Sequence, residues 1–240
     1  MKAAILQSSY IPWKGFFDII RSVDRFIWFD DVQFTIRDWR SRNRIKTSDG
    51  LRWLSIPCDG RQSKMIDEVL VTDASWRRRH WEAIERAYGE APHFEWCRPV
   101  LEHLYLGETE NRLHILNRKF VETIATELLG IQTEFDESAR YPSSNRGQAR
   151  LLDILAEIGA TSYLSGPAAR SYIDDAAFAN QGVGLEWMRY DGYPEYPQLH
   201  GPFEHAVSII DVLVHVGPDA PGFIHPTEEA GEGPVSADLD

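Results

Sequence analysis

AAILQSSYIPWKGFFDIIRSVDRFIWFDDVQFTIRDWRSRNRIK, residues 3–46, opens the chain with the pattern that decides its fold. Ala3 to Leu6 is short and wholly apolar, the mark of a strand buried on both faces. A turn around Tyr10 and Pro12 follows. Phe16, Phe17, Ile19, Ile20 and Val23 then recur at helical spacing, so Gly15 to Val23 reads as a helix. Arg25 to Phe34 is rich in aromatic and β-branched residues and reads as a second strand. Strand, helix and strand within about 30 residues make a βαβ unit, parallel and right-handed.

Working outward, Arg52 to Pro57 reads as a strand and Ile66 to Val71 alternates as a half-buried one. Ser75 stands where a helix cap belongs, ahead of a helix through Trp81, Ile84 and Tyr88. Pro92 to Leu106 holds a further helix. Leu113, Leu116, Phe120, Ile124 and Leu128 form the apolar stripe of the longest one, stopped by Gly130. Ser143 to Gly147 is a loop or lid, and Ala149 to Ile158 is helical. Thr161 to Ser165 and Glu186 to Tyr190 read as strands, and Val207 to Val216 as a closing helix. No repeat or clean linker interrupts the series. The fold class is therefore α/β, a mostly parallel sheet opened by the βαβ unit, with additional helices in the middle and C-terminal half. The expected organisation is one α/β domain over residues 1–217, with a helical insertion, and an acidic, disordered tail over 218–240.

The net charge of −12 argues against general binding to nucleic-acid backbones, DNA included. Part of the acidity lies in the tail, which carries Glu228, Glu229, Glu232, Asp238 and Asp240 with no basic residue after Thr227. The two cysteines, Cys58 and Cys97, fit a reduced cytoplasmic protein. The N-terminus lacks a signal-peptide layout, and no apolar stretch reaches the length of a membrane helix. The eight histidines show neither HxH nor HExxH spacing and no CxxC occurs, so no metal site is expected.

Polar groups gather where the strands run out, and this is where α/β sheets build sites. The turn Gln7 to Gly15 joins a buried strand to a helix N-terminus, so backbone N–H groups and Lys14 are candidates to face a phosphate or carboxylate. Tyr10, Pro12 and Trp13 also serve as structural plugs, and a ligand loop is the favoured reading. The spacing matches neither a Walker A loop nor GxGxxG. Asp30 and Asp31 end the second strand and, by alternation, point to opposite faces. That argues against a side-by-side dyad and leaves one of them to orient an amine or metal or to act as a base, or to be a strand-end carboxylate paired to Arg40 or Arg44. Arg37, Arg40, Arg42, Arg44 and Lys46, with Trp39 and Asn43 among them, form a basic-aromatic loop suited to phosphate and to stacking on a base.

Two later segments add candidates. Ser165-Gly166 ends a strand in a small-residue turn before Tyr172, and it lacks the glycine two residues ahead that a nucleophile elbow needs. The run from Tyr190 to Phe203, proline-rich and aromatic, offers Tyr196, Gln198 and His200 as pocket walls or, for His200, as a general base.

These motifs together (QSSYIPWKGFFDII, FDDVQF, WRSRNRIK, the segment from Trp53 to Pro57, GATSYLSGPAARSYI and YPQLHGPFEHAVSIIDVLVHVG) resemble the WbqC-like family, in the same order, over about residues 3–217. The family usually reads Gln-Pro at the first turn, where this chain has Gln7-Ser8. The opening strand, aromatic loop and helix are also similar to nucleotidyltransferase-like α/β folds. Their HxGH signature is absent, with Pro12-Trp13-Lys14-Gly15 in its place. The resemblance implies a role in O-antigen or other surface-polysaccharide biosynthesis, with glycine transfer onto amino sugars as the suggested chemistry.

The resulting expectation is a cytoplasmic acyl- or aminoacyltransferase, glycyl transfer included, acting on the amine of a sugar nucleotide or related natural-product intermediate. Asp30, Asp31 and His200 are the candidates for catalysis. Gln7, Tyr10, Trp13, Lys14, Gln33, Arg40, Asn43, Arg44, Lys46, Ser165, Gly166, Tyr172, Tyr196 and Gln198 are those for substrate binding. No cofactor motif is evident, so the donor would arrive activated as a thioester or an aminoacyl-tRNA, and a carrier protein or tRNA is the corresponding partner. A non-catalytic ligand-binding or scaffold protein of a biosynthetic complex, or an amide or ester hydrolase, are the alternatives.

Overall fold

A computed structural model describes residues 1–226. Five strands form its parallel sheet: β1 (Lys2–Leu6), β2 (Arg25–Trp28), β5 (Glu134–Glu137), β6 (Ser162–Ser165) and β7 (Gly184–Trp187), in the spatial order β5-β2-β1-β6-β7. All four neighbouring pairs are parallel. The opening βαβ unit is present, with α1 (Lys14–Arg21) between β1 and β2, and β1 takes the central place that its apolar sequence predicts. Ala3, Ala4 and Ile5 are all buried.

Alternation along the strands sends successive side chains into two separate layers. Ala4, Phe26, Trp28 and Leu164 face a large core built with α1, α2 (Trp76–Tyr88), α3 (Phe94–Glu102), α4 (Leu113–Thr123) and α7 (Ile209–Val216). Ala3, Ile5, Ile27 and Tyr163 face a smaller core with α5 (Gly147–Glu157) and α6 (Asp175–Asn180). Helices thus cover both sheet faces. The strand order reverses beside β1, and in such sheets the crevice outside the carboxyl ends is where ligands bind.

Several elements differ from the expectation. The basic segment read as a loop is strand β3 (Arg42–Thr47), paired antiparallel with β4 (Gly50–Ser55) in a separate hairpin. β2 stops at Trp28, six residues short of Phe34. Ile66 to Val71 is not a strand. It holds a short 3-10 turn (Ile66–Glu68) and isolated bridges from Leu70 and Val71. β5 and α6 are additional elements, and β7 begins two residues ahead of Glu186. Ser75 does not cap α2 with its side chain; its hydroxyl turns to Asp73 instead. Past α7, Gly217–Gly222 form a 3-10 turn and Ile224 is fully buried, so packed chain continues beyond residue 217. The acidic stretch from residue 227 lies outside the described residues. Among the described residues no helix is long and apolar enough to cross a membrane.

Candidate functional site

The turn leaving β1 is held in a strained shape from several sides. Ile11 has a φ of +36°, a region that a β-branched residue rarely adopts. The Asn43 amide donates to the carbonyls of Tyr10 (3.1 Å) and Ile11 (3.0 Å), which accounts for a buried asparagine on β3. The Tyr10 amide donates to the Trp39 carbonyl, and that of Ile209 to the Pro12 carbonyl. Trp13 folds over Gly15, where any Cβ would overlap the indole. Strain maintained by this many restraints is characteristic of ligand sites.

Beside this turn the carboxyl ends of three strands are tied together. Asp30, 1% exposed, accepts the Ser8 amide at 2.8 Å and the Arg118 Nε at 2.9 Å. Arg118, on α4, also reaches Glu137 at the end of β5 at 2.7 Å. A carboxylate this deeply buried is retained because charged donors compensate for its lost hydration. Asp31 turns to the opposite face and meets Arg150 of α5 at 2.8 Å, together with the Ser138 hydroxyl. The two aspartates therefore diverge as alternation requires. Their arginine partners are Arg118 and Arg150 rather than Arg40 or Arg44.

Arg40 lies over the same strand ends. Its guanidinium donates to the Ser9 hydroxyl at 3.0 Å and to the Gln7 side-chain oxygen. Its backbone carbonyl accepts the Asn117 amide at 2.8 Å. His114, one helical turn ahead of Arg118, is buried, and burial holds its pKa below the ordinary value while Asp30 opposes the shift. Burial thus favours its neutral form. Four buried polar atoms here have no hydrogen-bond partner among the described residues: Ser8 Oγ, Arg40 Nε, His114 Nδ1 and Asn117 Oδ1. Buried polar groups are satisfied in the great majority of cases. The clustering of these four at the strand ends makes this the candidate site for a polar ligand, with donors, acceptors and one imidazole close together.

The other expected site residues fall in different surroundings. Lys14 opens α1 but does not face outward. Its Nζ donates to the Pro194 carbonyl at 3.1 Å and lies over the rings of Tyr193, Tyr196 and Phe203 at 5.1–5.7 Å. Burial lowers its pKa to about 8, against the attraction of Asp211 and Glu195. Lys46 is likewise buried and donates to Gln198 at 2.5 Å and to the Pro202 carbonyl. Gln198 and Tyr196 join Tyr88 on the buried carboxylate of Asp211, at 2.7–2.9 Å. This polar network joins α1, β3, α2, α7 and the proline-rich run in the interior.

Tyr10 is also internal, its hydroxyl bonded to His80 Nδ1 (2.8 Å) and to Tyr105 (2.7 Å). Trp13 packs edge-on against Tyr190 and Tyr193. Ser165 and Gly166 close β6 next to the Tyr190 hydroxyl, whereas Tyr172 is 71% exposed. Gln33 is exposed and donates to the Gln62 carbonyl. His200 sits with β4 and α2, its Nε2 3.3 Å from the Ala87 carbonyl. It lines a surface cavity of about 510 Å³ with Arg52, Trp53 and Arg86, away from the strand ends. Arg44 stacks beside Trp39 and Trp53. Of the expected set, Gln7, Asp30 and Arg40 are brought together, and Ser8, Ser9, His114, Asn117 and Arg118 complete the group. The one sequence signal for the α4 residues is the i, i+3, i+4 spacing of polar side chains at 114, 117 and 118, which puts all three on one helical face.

No solved structure matches this chain. One similar protein, from Mycobacterium tuberculosis (strain ATCC 25618 / H37Rv), is named Uncharacterized protein Rv1507c. It is 44% identical over 225 residues, covering 93% of this chain and 97% of that protein. The family model for the WbqC-like protein family matches residues 7–222, a span that takes in the strand-end cluster, the hairpin and the interior network. The chain belongs to the WbqC-like protein family.

Proposed function

We propose that this protein transfers an activated acyl or aminoacyl group, glycyl among them, onto the amine of a nucleotide-linked amino sugar or related intermediate of surface-polysaccharide or natural-product biosynthesis. The observation that carries this reading is the gathering of a buried imidazole, His114, with the unpartnered Arg40 Nε and Ser8 Oγ at the strand ends. Amine acylation needs a base and donors for a developing oxyanion, and those are the groups present.

In this scheme the free amine attacks the donor carbonyl, forming the C–N bond and a tetrahedral oxyanion. Arg40 and Ser8 stabilise that charge, and His114 accepts a proton from the ammonium. Collapse expels the donor's thiol or ribose hydroxyl, which recovers the proton from His114. The base role passes from Asp30 to His114, because the Asp30 carboxylate is already engaged by Arg118 and the Ser8 amide. No cofactor is required when the donor arrives activated. Asp31 and His200 take no part, since both lie elsewhere.

The test is mass spectrometry of the acceptor after incubation with acyl thioesters and with aminoacyl-tRNA. Acylated amino sugar nucleotide is expected with the native protein and is expected to be lost, by about a hundredfold or more, in His114→Gln. Donor cleavage without acylated acceptor would show a hydrolase. Ligand binding with neither outcome would show a non-catalytic binding protein. Either result would overturn the proposal.

A further inference from the structure

The hairpin β3–β4 carries a second feature that the strand-end chemistry does not use. Trp39 and Trp53 are exposed, at 37% and 43%, and their rings lie 5.5 Å apart at 36°. The Arg42 guanidinium sits 4.2 Å from the centroid of the Trp53 ring. That of Arg44 is 5.5 Å from Trp53 and 5.9 Å from Trp39. Neither guanidinium meets a carboxylate among the described residues, and the Nε of each is buried without an acceptor. In a chain with 37 acidic and 25 basic residues, two arginines with no carboxylate partner among the described residues, both set against tryptophan, leave donors for an external anion. Trp53 also lines the cavity of about 510 Å³, together with Arg52 and Arg86.

Arginine and tryptophan layered in this way suit a ligand that has both an aromatic face and adjacent negative charge. Stacking is available to every base, and the guanidinium fork matches phosphate oxygens. The platform also adjoins the strand ends. Trp39 precedes Arg40, and its carbonyl accepts the Tyr10 amide on the turn that leaves β1. A ligand anchored by its base on the hairpin could extend from there to Arg40 and His114.

We propose that Trp39, Trp53, Arg42 and Arg44 bind the base and diphosphate of a nucleoside diphosphate, the carrier portion of the acceptor. This assignment deepens the transferase reading but is tested apart from it. The measurement is titration calorimetry of the full chain with UDP, ADP, GDP and CDP, and with inorganic pyrophosphate as the probe that lacks a base. At least one nucleoside diphosphate is expected to bind about tenfold or more tightly than pyrophosphate. Trp53→Ala should weaken it by about tenfold or more, while Trp53→Phe keeps it within about threefold. Arg42→Gln should weaken both the nucleotide and pyrophosphate.

Equal affinity for pyrophosphate, no nucleotide binding by the native protein, or binding indifferent to both Trp53→Ala and Arg42→Gln would each overturn the proposal. So would tight binding of a single-stranded RNA without any nucleoside diphosphate binding. If nucleotides bind as described but no donor yields acylated product, the transferase reading fails and the platform stands.

Discussion

Replacing Arg118 by Met tests whether Asp30 is a structural clamp at the strand ends. The pair is nearly sealed from water, with the side chains of Asp30 and Arg118 1% and 16% exposed. Opposite charges about 4 Å apart attract by about 4 kcal/mol at an effective dielectric near 20. Arg118→Met removes that attraction and leaves the carboxylate held by the Ser8 amide alone. Orphaning one partner of a buried ion pair costs about 3–5 kcal/mol. The second link, from Arg118 to Glu137, adds at most about 1 kcal/mol because Glu137 is 45% exposed. Urea unfolding of Arg118→Met should therefore show a loss of about 3–5 kcal/mol with an unchanged m-value. Adding Asp30→Asn should recover a large part of it, since the double variant no longer buries an unpaired charge. A loss below about 1 kcal/mol, or no recovery in the double variant, would refute the clamp.

Three further outcomes follow from the interior. Lys14 has its folded pKa lowered from 10.5 to about 8, so between those values the unfolded chain holds the extra proton. Stability relative to Lys14→Met should then rise as pH increases from 8 to 10.5, by no more than about 3 kcal/mol; parallel stability curves for the two proteins would contradict this. Burial pushes the His80 pKa down to about 4, so its contribution is complete above about pH 6.5 and lost as pH falls toward 4. His80→Phe should flatten that part of the acid-unfolding curve measured by circular dichroism. Gly15→Ala forces a methyl into the Trp13 ring and should cost about 1–3 kcal/mol in thermal or urea unfolding, whereas an unchanged midpoint would show that the turn yields freely.

The sheet's centre was legible because β1 and β2 are made of residues that bury themselves, and α1 and α4 because their apolar residues fall at helical spacing. β3 was not, because Arg42-Asn-Arg-Ile-Lys-Thr47 contains a single apolar residue. Its buried positions are Asn43, which fastens the β1 turn, Ile45, and Lys46, which reaches Gln198, while Arg42 and Arg44 lie against tryptophan. Tertiary hydrogen bonds decide such a strand, and composition does not show them. β5 is an edge strand with only Phe135 to bury, so it reads as polar loop.

The site was half legible for the same reason. Gln7, Asp30 and Arg40 announce themselves at strand ends, but His114, Asn117 and Arg118 arrive from a helix more than 70 residues further along than Arg40. Lys14 and Lys46 look like ligand-binding cations in sequence. Only the fold shows that aromatic rings, carbonyls and Gln198 enclose them.

The most direct test of the strand-end site is hydrogen-exchange mass spectrometry of the full chain with and without a saturating nucleoside-diphosphate amino sugar. Bound ligand slows exchange where it restrains the backbone. Protection is expected over residues 7–11, 38–44 and 113–118, where the β1 turn, Arg40 and the polar face of α4 meet. Protection confined to residues 193–203 and α7, with none over 7–11 or 113–118, would place the ligand at the interior network and contradict the account.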